Sequence, residues 1–185
     1  MLTLAWMLWC GSLMANEYKL IHSQPLKGQF LTTDKLGGAY VITTDKQLLK
    51  IDVANNRFAT YSLVKYGQPT LIDASNPLKV MLFFNDYDII VYLDNTLSEK
   101  AVIRLQNMGA QQIDVACQSL DNRIWVYDAL LFKLRKIDEQ LNIIRESDDL
   151  TLLFNAAIKP TFLLEADNRL FVNVPDAGIH VFDVF

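Results

Sequence analysis

Little in this sequence offers ready-made chemistry. It holds two cysteines and two histidines. His22 and His180 stand far apart, with no cysteine or second histidine at metal-ligand spacing, which excludes the usual structural zinc pattern. No Gly-x-Ser-x-Gly elbow, phosphate-cradling glycine loop or His-Glu-x-x-His helix occurs. Cationic charge is not in excess: 17 Lys and Arg face 21 Asp and Glu, a net charge of -4, so binding to nucleic acid by phosphate neutralisation is not expected. No apolar run is long enough for a spanning helix, and no transmembrane segment is expected.

The longest uncharged run is the first. MLTLAWMLWCGSLMA, residues 1–15, gives way to Asn16-Glu17-Tyr18-Lys19 and reads as a signal peptide cut after Ala15, with residues 16–185 as one domain. The expected location is secreted, periplasmic or envelope-associated. Cleavage removes Cys10, and Cys117 by itself can form no intrachain disulfide. Its alternation with Ile113 and Val115 marks it as a buried, inert thiol.

What the chain does contain is a repeat. Short strands end in Asp at Asp52, Asp94, Asp138 and Asp183, at intervals of 42, 44 and 45 residues. Four positions before each Asp stands Leu48, Ile90, Leu134 or Ile179, and immediately before it Ile51, Leu93, Ile137 or Phe182. Upstream of each lies an aromatic-containing strand, around Tyr40, Phe83, Trp125 and Phe171. A small antiparallel sheet cannot bury its apolar face alone, and a period of about 40 to 45 residues is that of sheets stacked around an axis. The expected fold is all-β: a β-propeller with about four recognisable blades of four-stranded antiparallel sheet, part of a six-bladed propeller. A β-sandwich of evenly spaced hairpins is the competing arrangement.

Blades are expected over about 29–64, 69–105, 112–147 and 160–185, with residues 18–22 as a ring-closing strand. The second blade has a long first turn, Asp73 to Lys79, of the kind that displays recognition residues; Asp73, Ser75 and Asn76 are its candidates for a partner rim. Residues 148–157 fit either a helical turn or a loop. No outer strand is visible for the last blade, so the Ile179 to Phe182 strand is a candidate open edge for self-association. Either the 18–22 strand completes that blade, or the sequence belongs to a longer propeller.

The motif Asp121-Asn122-Arg123-Ile124-Trp125-Val126-Tyr127-Asp128, with looser copies at Asp34 to Val41 and Asp167 to Val172, resembles NHL-type six-bladed propellers. More narrowly, FLTTDKLGGAYVITTDKQLLKID, IDASNPLKVMLFF, LDNTLS, PTFLLEADNRLFVN and GIHVFDVF resemble a family of short secreted propellers of Bacteroidota-type bacteria. The resemblance covers nearly the whole chain after Asn16. Members of that family continue into further blades, which implies truncation here, and the resemblance carries over no catalytic residue. Gly37-Gly38 is an insertion relative to the pattern, and the turns at Asp121 and Asp167 lack its glycine.

An enzyme would need groups converging on the axis or one of its mouths. Asp45, Asp86, Asp88, Asp128 and Asp176 fall near the same inter-strand turn of successive blades and are weak candidates for Ca²⁺, since hard cations take oxygen ligands. Asp is equally a favoured turn residue. No catalytic residue and no cofactor is expected. The reading is a non-enzymatic binding or scaffold propeller of the cell envelope, with a protein or glycan partner. The alternatives are a Ca²⁺-dependent, lactonase-like hydrolase and a truncated propeller without independent function.

Overall fold

The computed structural model describes residues 19–20, 23, 25–52, 57–109 and 112–184. The leader expected over 1–15, and Tyr18, Ile21 and His22 of the expected ring-closing strand, lie outside them. The chain forms four antiparallel sheets in sequence order. The first is β1 (Gly28–Thr33), β2 (Gly38–Thr43), β3 (Gln47–Asp52) and β4 (Arg57–Ser62). The second is β5 (Leu71–Asp73), β6 (Val80–Phe84), β7 (Ile89–Leu93) and β8 (Glu99–Arg104). The third is β9 (Ile113–Gln118), β10 (Ile124–Asp128), β11 (Lys133–Ile137) and β12 (Ile143–Glu146). The fourth has three described strands, β13 (Phe162–Ala166), β14 (Arg169–Val174) and β15 (Gly178–Asp183). Every strand pairs with its sequence neighbour, so each sheet is a meander. The sheets are the four blades of a β-propeller.

Period-2 alternation distributes the core among the seams between blades. In β6, Val80, Leu82 and Phe84 pack on Tyr40, Ile42 and Leu48 of the first blade. The intervening Met81 and Phe83 pack on Ile113, Ala116 and Ile124 of the third. In β10, Ile124 and Val126 face the second blade, while Trp125 and Tyr127 join Leu163, Leu170 and Val172 of the fourth. This is why both strands are buried at every position. Burying each such side chain contributes roughly 1.5–3 kcal/mol. Cys117 lies in the third seam at 1% exposure, and burial pushes its thiol pKa up, as expected of an inert sulfur.

The ends of the stack are different. On the fourth blade, Leu163 and Leu170 are buried, but Phe162, Leu164, Ile179 and Val181 face outward and are exposed. Leu31 is exposed on the first blade. Between the third and fourth blades the chain makes a short helix, α1 (Leu150–Phe154). The Asp149 carboxylate accepts the Thr151 N–H at 2.8 Å and caps it, and Asn155, at φ 52, ends it in the left-handed region. Leu150 drops into the third seam.

Candidate functional site

The meander gives the propeller two rims. One carries the turns between the second and third strands of each blade, and there lie Asp45, Asp86, Asp88, Asp128 and Asp176. Asp45, Asp86 and Asp176 are exposed. Asp88 is buried, with φ 49, and its Oδ1 accepts the Ile113 N–H of the next blade at 3.0 Å. Burial raises its pKa; the Ile113 bond opposes this, and the charges of Asp114 and Asp128 add to it. Asp128 is 1% exposed, pairs with Arg135 at 2.8 Å and accepts the Leu130 and Leu131 N–H groups at 3.1 Å. Among the described residues, no group of three or more His, Cys, Asp or Glu side chains is arranged to hold a metal ion. The His180 ring packs against Phe154 in a tilted arrangement, with centroids 4.4 Å apart and 45° between the ring planes.

The opposite rim carries the first-to-second and third-to-fourth strand turns. Asp94 Oδ1 accepts the N–H groups of Thr96 at 2.8 Å and Ser98 at 3.0 Å, and Asp138 Oδ1 those of Gln140 and Asn142, both at 2.9 Å. Two of the recurrent Asp residues are therefore turn formers. Asp73 is spent on the neighbouring blade: its Oδ2 accepts the Gln118 N–H at 2.8 Å, and its carbonyl accepts the Gln118 Nε2 at 3.0 Å. Asn76 Oδ1 accepts the Leu78 N–H at 3.1 Å, and Ser75 is exposed. The long loop does stand on this rim. Its protruding apolar residue is Leu78, 67% exposed, which the sequence reading passed over in favour of its polar neighbours.

A lysine lies over an aromatic ring at each described seam of this rim. Lys50 stands over Tyr40, Lys79 over Tyr92 and Lys136 over Trp125, at 5.2, 4.2 and 5.4 Å from the ring centroids. Each lysine also meets a carboxylate: Asp34 at 3.7 Å, Glu139 at 2.5 Å and Asp121 at 2.9 Å. The second seam is closed by Lys79–Glu139 and Asp73–Gln118. The first opens into a cleft of about 450 Å³, within the usual range for ligand sites.

The first-seam cleft is walled by Asp34 and Leu36 of the β1–β2 turn, Lys50 of β3, Arg57 of β4, Leu78 of the long loop and Asn95 of the β7–β8 turn. Asp34 is its structural anchor. Oδ1 accepts the Leu36 and Gly38 N–H groups at 2.9 and 2.8 Å, and Oδ2 accepts the Tyr40 hydroxyl at 2.8 Å. Burial pushes its pKa up, but the bonds from Gly38, Tyr40 and Leu36 and the Lys50 charge outweigh it, leaving a lowered value. Gly38 makes room for this: a Cβ there would lie 2.6 Å from Asp34 Oδ2 and 3.1 Å from Lys50 Cε. The glycine pair thus admits a buried carboxylate at the seam, with Gly37 supplying φ 86. Lys50 Nζ donates to the Asn95 carbonyl at 3.2 Å, tying the first blade to the second.

Comparison with solved structures agrees with the propeller fold. Virginiamycin B lyase from Staphylococcus aureus aligns with a TM-score of 0.54 and 12% identity, over 83% of this chain and 54% of that one. The WD40 domain of Neurospora crassa Pan2 aligns at 0.58 and 10%, over 86% and 47%. BamB from Moraxella catarrhalis aligns at 0.54 and 15%, over 83% and 42%. All three are β-propellers, and at these identities the likeness concerns the fold alone. The chain spans about half the length of these proteins. No family model matches the chain, and comparison with curated proteins finds no match.

Proposed function

We propose that the chain is a non-enzymatic binding or scaffold propeller of the cell envelope whose partner is a protein engaged by the cleft rim. The observation that supports this most directly is the cleft itself, lined by Leu36 (71% exposed) of the first blade and Leu78 (67% exposed) of the second. Exposed aliphatic side chains beside fixed charges are what a partner surface offers. Leu36 and Leu78 suit a polypeptide, and the half-exposed Phe58 lines the same cleft. The test is a photo-crosslinking amino acid at Leu78 in the full chain, irradiated in the envelope fraction, against the same group at Tyr87, which is exposed on the other rim. A defined crosslinked protein at Leu78 alone is expected. Identical patterns at both positions refute the reading.

The Ca²⁺-dependent hydrolase finds less support, because the inward carboxylates Asp88 and Asp128 already hold an amide and a guanidinium of this chain. The apolar outer faces of the first and fourth blades suit a further blade packed against each, which fits the longer, six-bladed ring and, in the isolated chain, self-association near Ile179 to Phe182.

A further inference from the structure

We infer that the chain associates head to tail: the exposed face of the fourth blade of one copy seals against the exposed face of the first blade of a second copy, and two four-bladed arcs close one ring. This rests on the self-association read from the apolar end faces, and not on the cleft. Every described seam is built alike, from the forward face of one blade and the backward face of the next. The three core clusters join the first blade to the second, the second to the third and the third to the fourth. Among the described residues no core cluster joins the fourth blade to the first. Each end of the arc is therefore half of a seam.

The strand registers show which half lies at which end. Leu31 pairs with Val41 as Ile72 does with Leu82, Ala116 with Val126 and Leu163 with Val172. Ile72, Ala116 and Leu163 face backward into seams and are no more than 3% exposed, whereas Leu31 is 67% exposed. Beside it a groove of about 390 Å³ is lined by Leu26, Leu31 and Val41. At the other end, Ile179 holds the place of Leu48, Ile90 and Leu134, four residues before the strand-ending Asp. Those three face forward into seams and are no more than 2% exposed, whereas Ile179 is 67% exposed. Pairing of Asn173 with Phe162 and Ile179, and of Phe171 with Leu164 and Val181, puts these apolar side chains on that same forward face. In every described seam a forward face meets a backward one, so the fourth blade fits the first blade of another copy and not a second fourth blade. Such a contact leaves each copy its other face, and it either propagates or closes. Two arcs suffice for closure, because the chain spans about half the length of the propellers aligned above.

The experiment uses the full chain, its mass in solution read by sedimentation equilibrium and native mass spectrometry. Leu31→Asp blocks the backward half-seam and Ile179→Asp the forward one. Both positions are exposed, so each variant should keep the folded circular dichroism spectrum. Leu31→Ser and Ile179→Ser take their place should either fail to fold. The parent is expected at the mass of two copies. Each variant alone should associate roughly a hundredfold more weakly, because a carboxylate in an apolar seam must be desolvated. An equimolar mixture of the two should restore a one-to-one pair, since it brings together one intact forward face and one intact backward face. A face that paired with its own kind would instead let one of the variants associate undiminished. That result, a monomeric parent, a species larger than two copies, or a mixture no more associated than its components would each overturn the inference. A monomeric parent that still crosslinks a protein through Leu78 overturns the ring and leaves the cleft reading standing.

Discussion

Trp125 joins the third and fourth blades through both packing and a hydrogen bond. It is 6% exposed, packs in the third seam, and its Nε1 donates to Glu165 Oε2 on the fourth blade. Glu165 also accepts the Leu120 N–H at 3.5 Å and lies 3.8 Å from Lys136 Nζ, with its own side chain 4% exposed. Truncation to Ala removes the ring, at a cost of about 3–5 kcal/mol for lost packing and cavity. It also takes a donor from a buried carboxylate, which costs about 1–3 kcal/mol. Trp125→Phe keeps most of the packing and should cost only the second contribution, at its lower end because Lys136 remains. Against a total stability of roughly 5–15 kcal/mol, Trp125→Ala is severe. Urea unfolding followed by far-ultraviolet circular dichroism measures both variants without relying on indole fluorescence. Adding Glu165→Gln to Trp125→Phe should cost less than the separate changes combined, because both act on one bond. If Trp125→Ala lies within about 0.5 kcal/mol of the parent, as surface changes do, the assignment of Trp125 to a blade seam is wrong.

Other expectations follow from the same contacts. Gly38→Ala should destabilise by about 1–3 kcal/mol, because its Cβ would displace the Asp34 carboxylate; thermal melts check this, and an unchanged melting temperature would mean that the turn yields freely. Asp34 has a lowered pKa when folded, so its contribution is present above its unfolded value near 3.9 and lost as pH falls through the folded one. Asp34→Asn should therefore lower stability at neutral pH and flatten the fall of stability below about pH 4, leaving the part due to groups such as Asp121, whose pKa is held down to about 2. A parallel fall in both proteins would contradict that role. Chelation with EDTA should leave the melting temperature unchanged, since Asp88 and Asp128 are satisfied from within the chain; a large drop would restore the calcium reading. Ile179→Ser with Val181→Ser should reduce concentration-dependent association in sedimentation velocity while changing monomer stability by about 0.5 kcal/mol or less.

The propeller was legible because its signal is repeated. Aliphatic residues at fixed distances before Asp52, Asp94, Asp138 and Asp183 report the third strand of each sheet, and continuous apolar runs such as Val80 to Phe84 report strands covered on both sides. The cleft was not legible, for a physical reason. Leu36, Lys50, Arg57 and Leu78 come from four elements of two blades, and nothing in their local pattern says that they meet. The long loop does line the cleft through Leu78, which is exposed, while Asp73 is taken by Gln118 and Asn76 by the Leu78 N–H. The five Asp residues of the other rim recur at one turn position, as expected of a residue that favours turns whatever surrounds them. One signal was available: a glycine pair following Asp34, departing from the repeat, marks a backbone that passes close to a buried group.

Because every described strand pairs only with its sequence neighbours, each described backbone ladder closes over a short span of chain, and the cost of loop closure is met locally. Each sheet can therefore assemble as its own residues leave the ribosome, in order from the first. What a newly formed blade lacks is cover: Tyr40, Ile42 and Leu48 remain wet until Val80, Leu82 and Phe84 arrive. The interval between hairpin formation and docking of the next sheet is when this chain is most open to proteases and to neighbours. The slow step in its maturation should accordingly be the sealing of seams and not the pairing of strands.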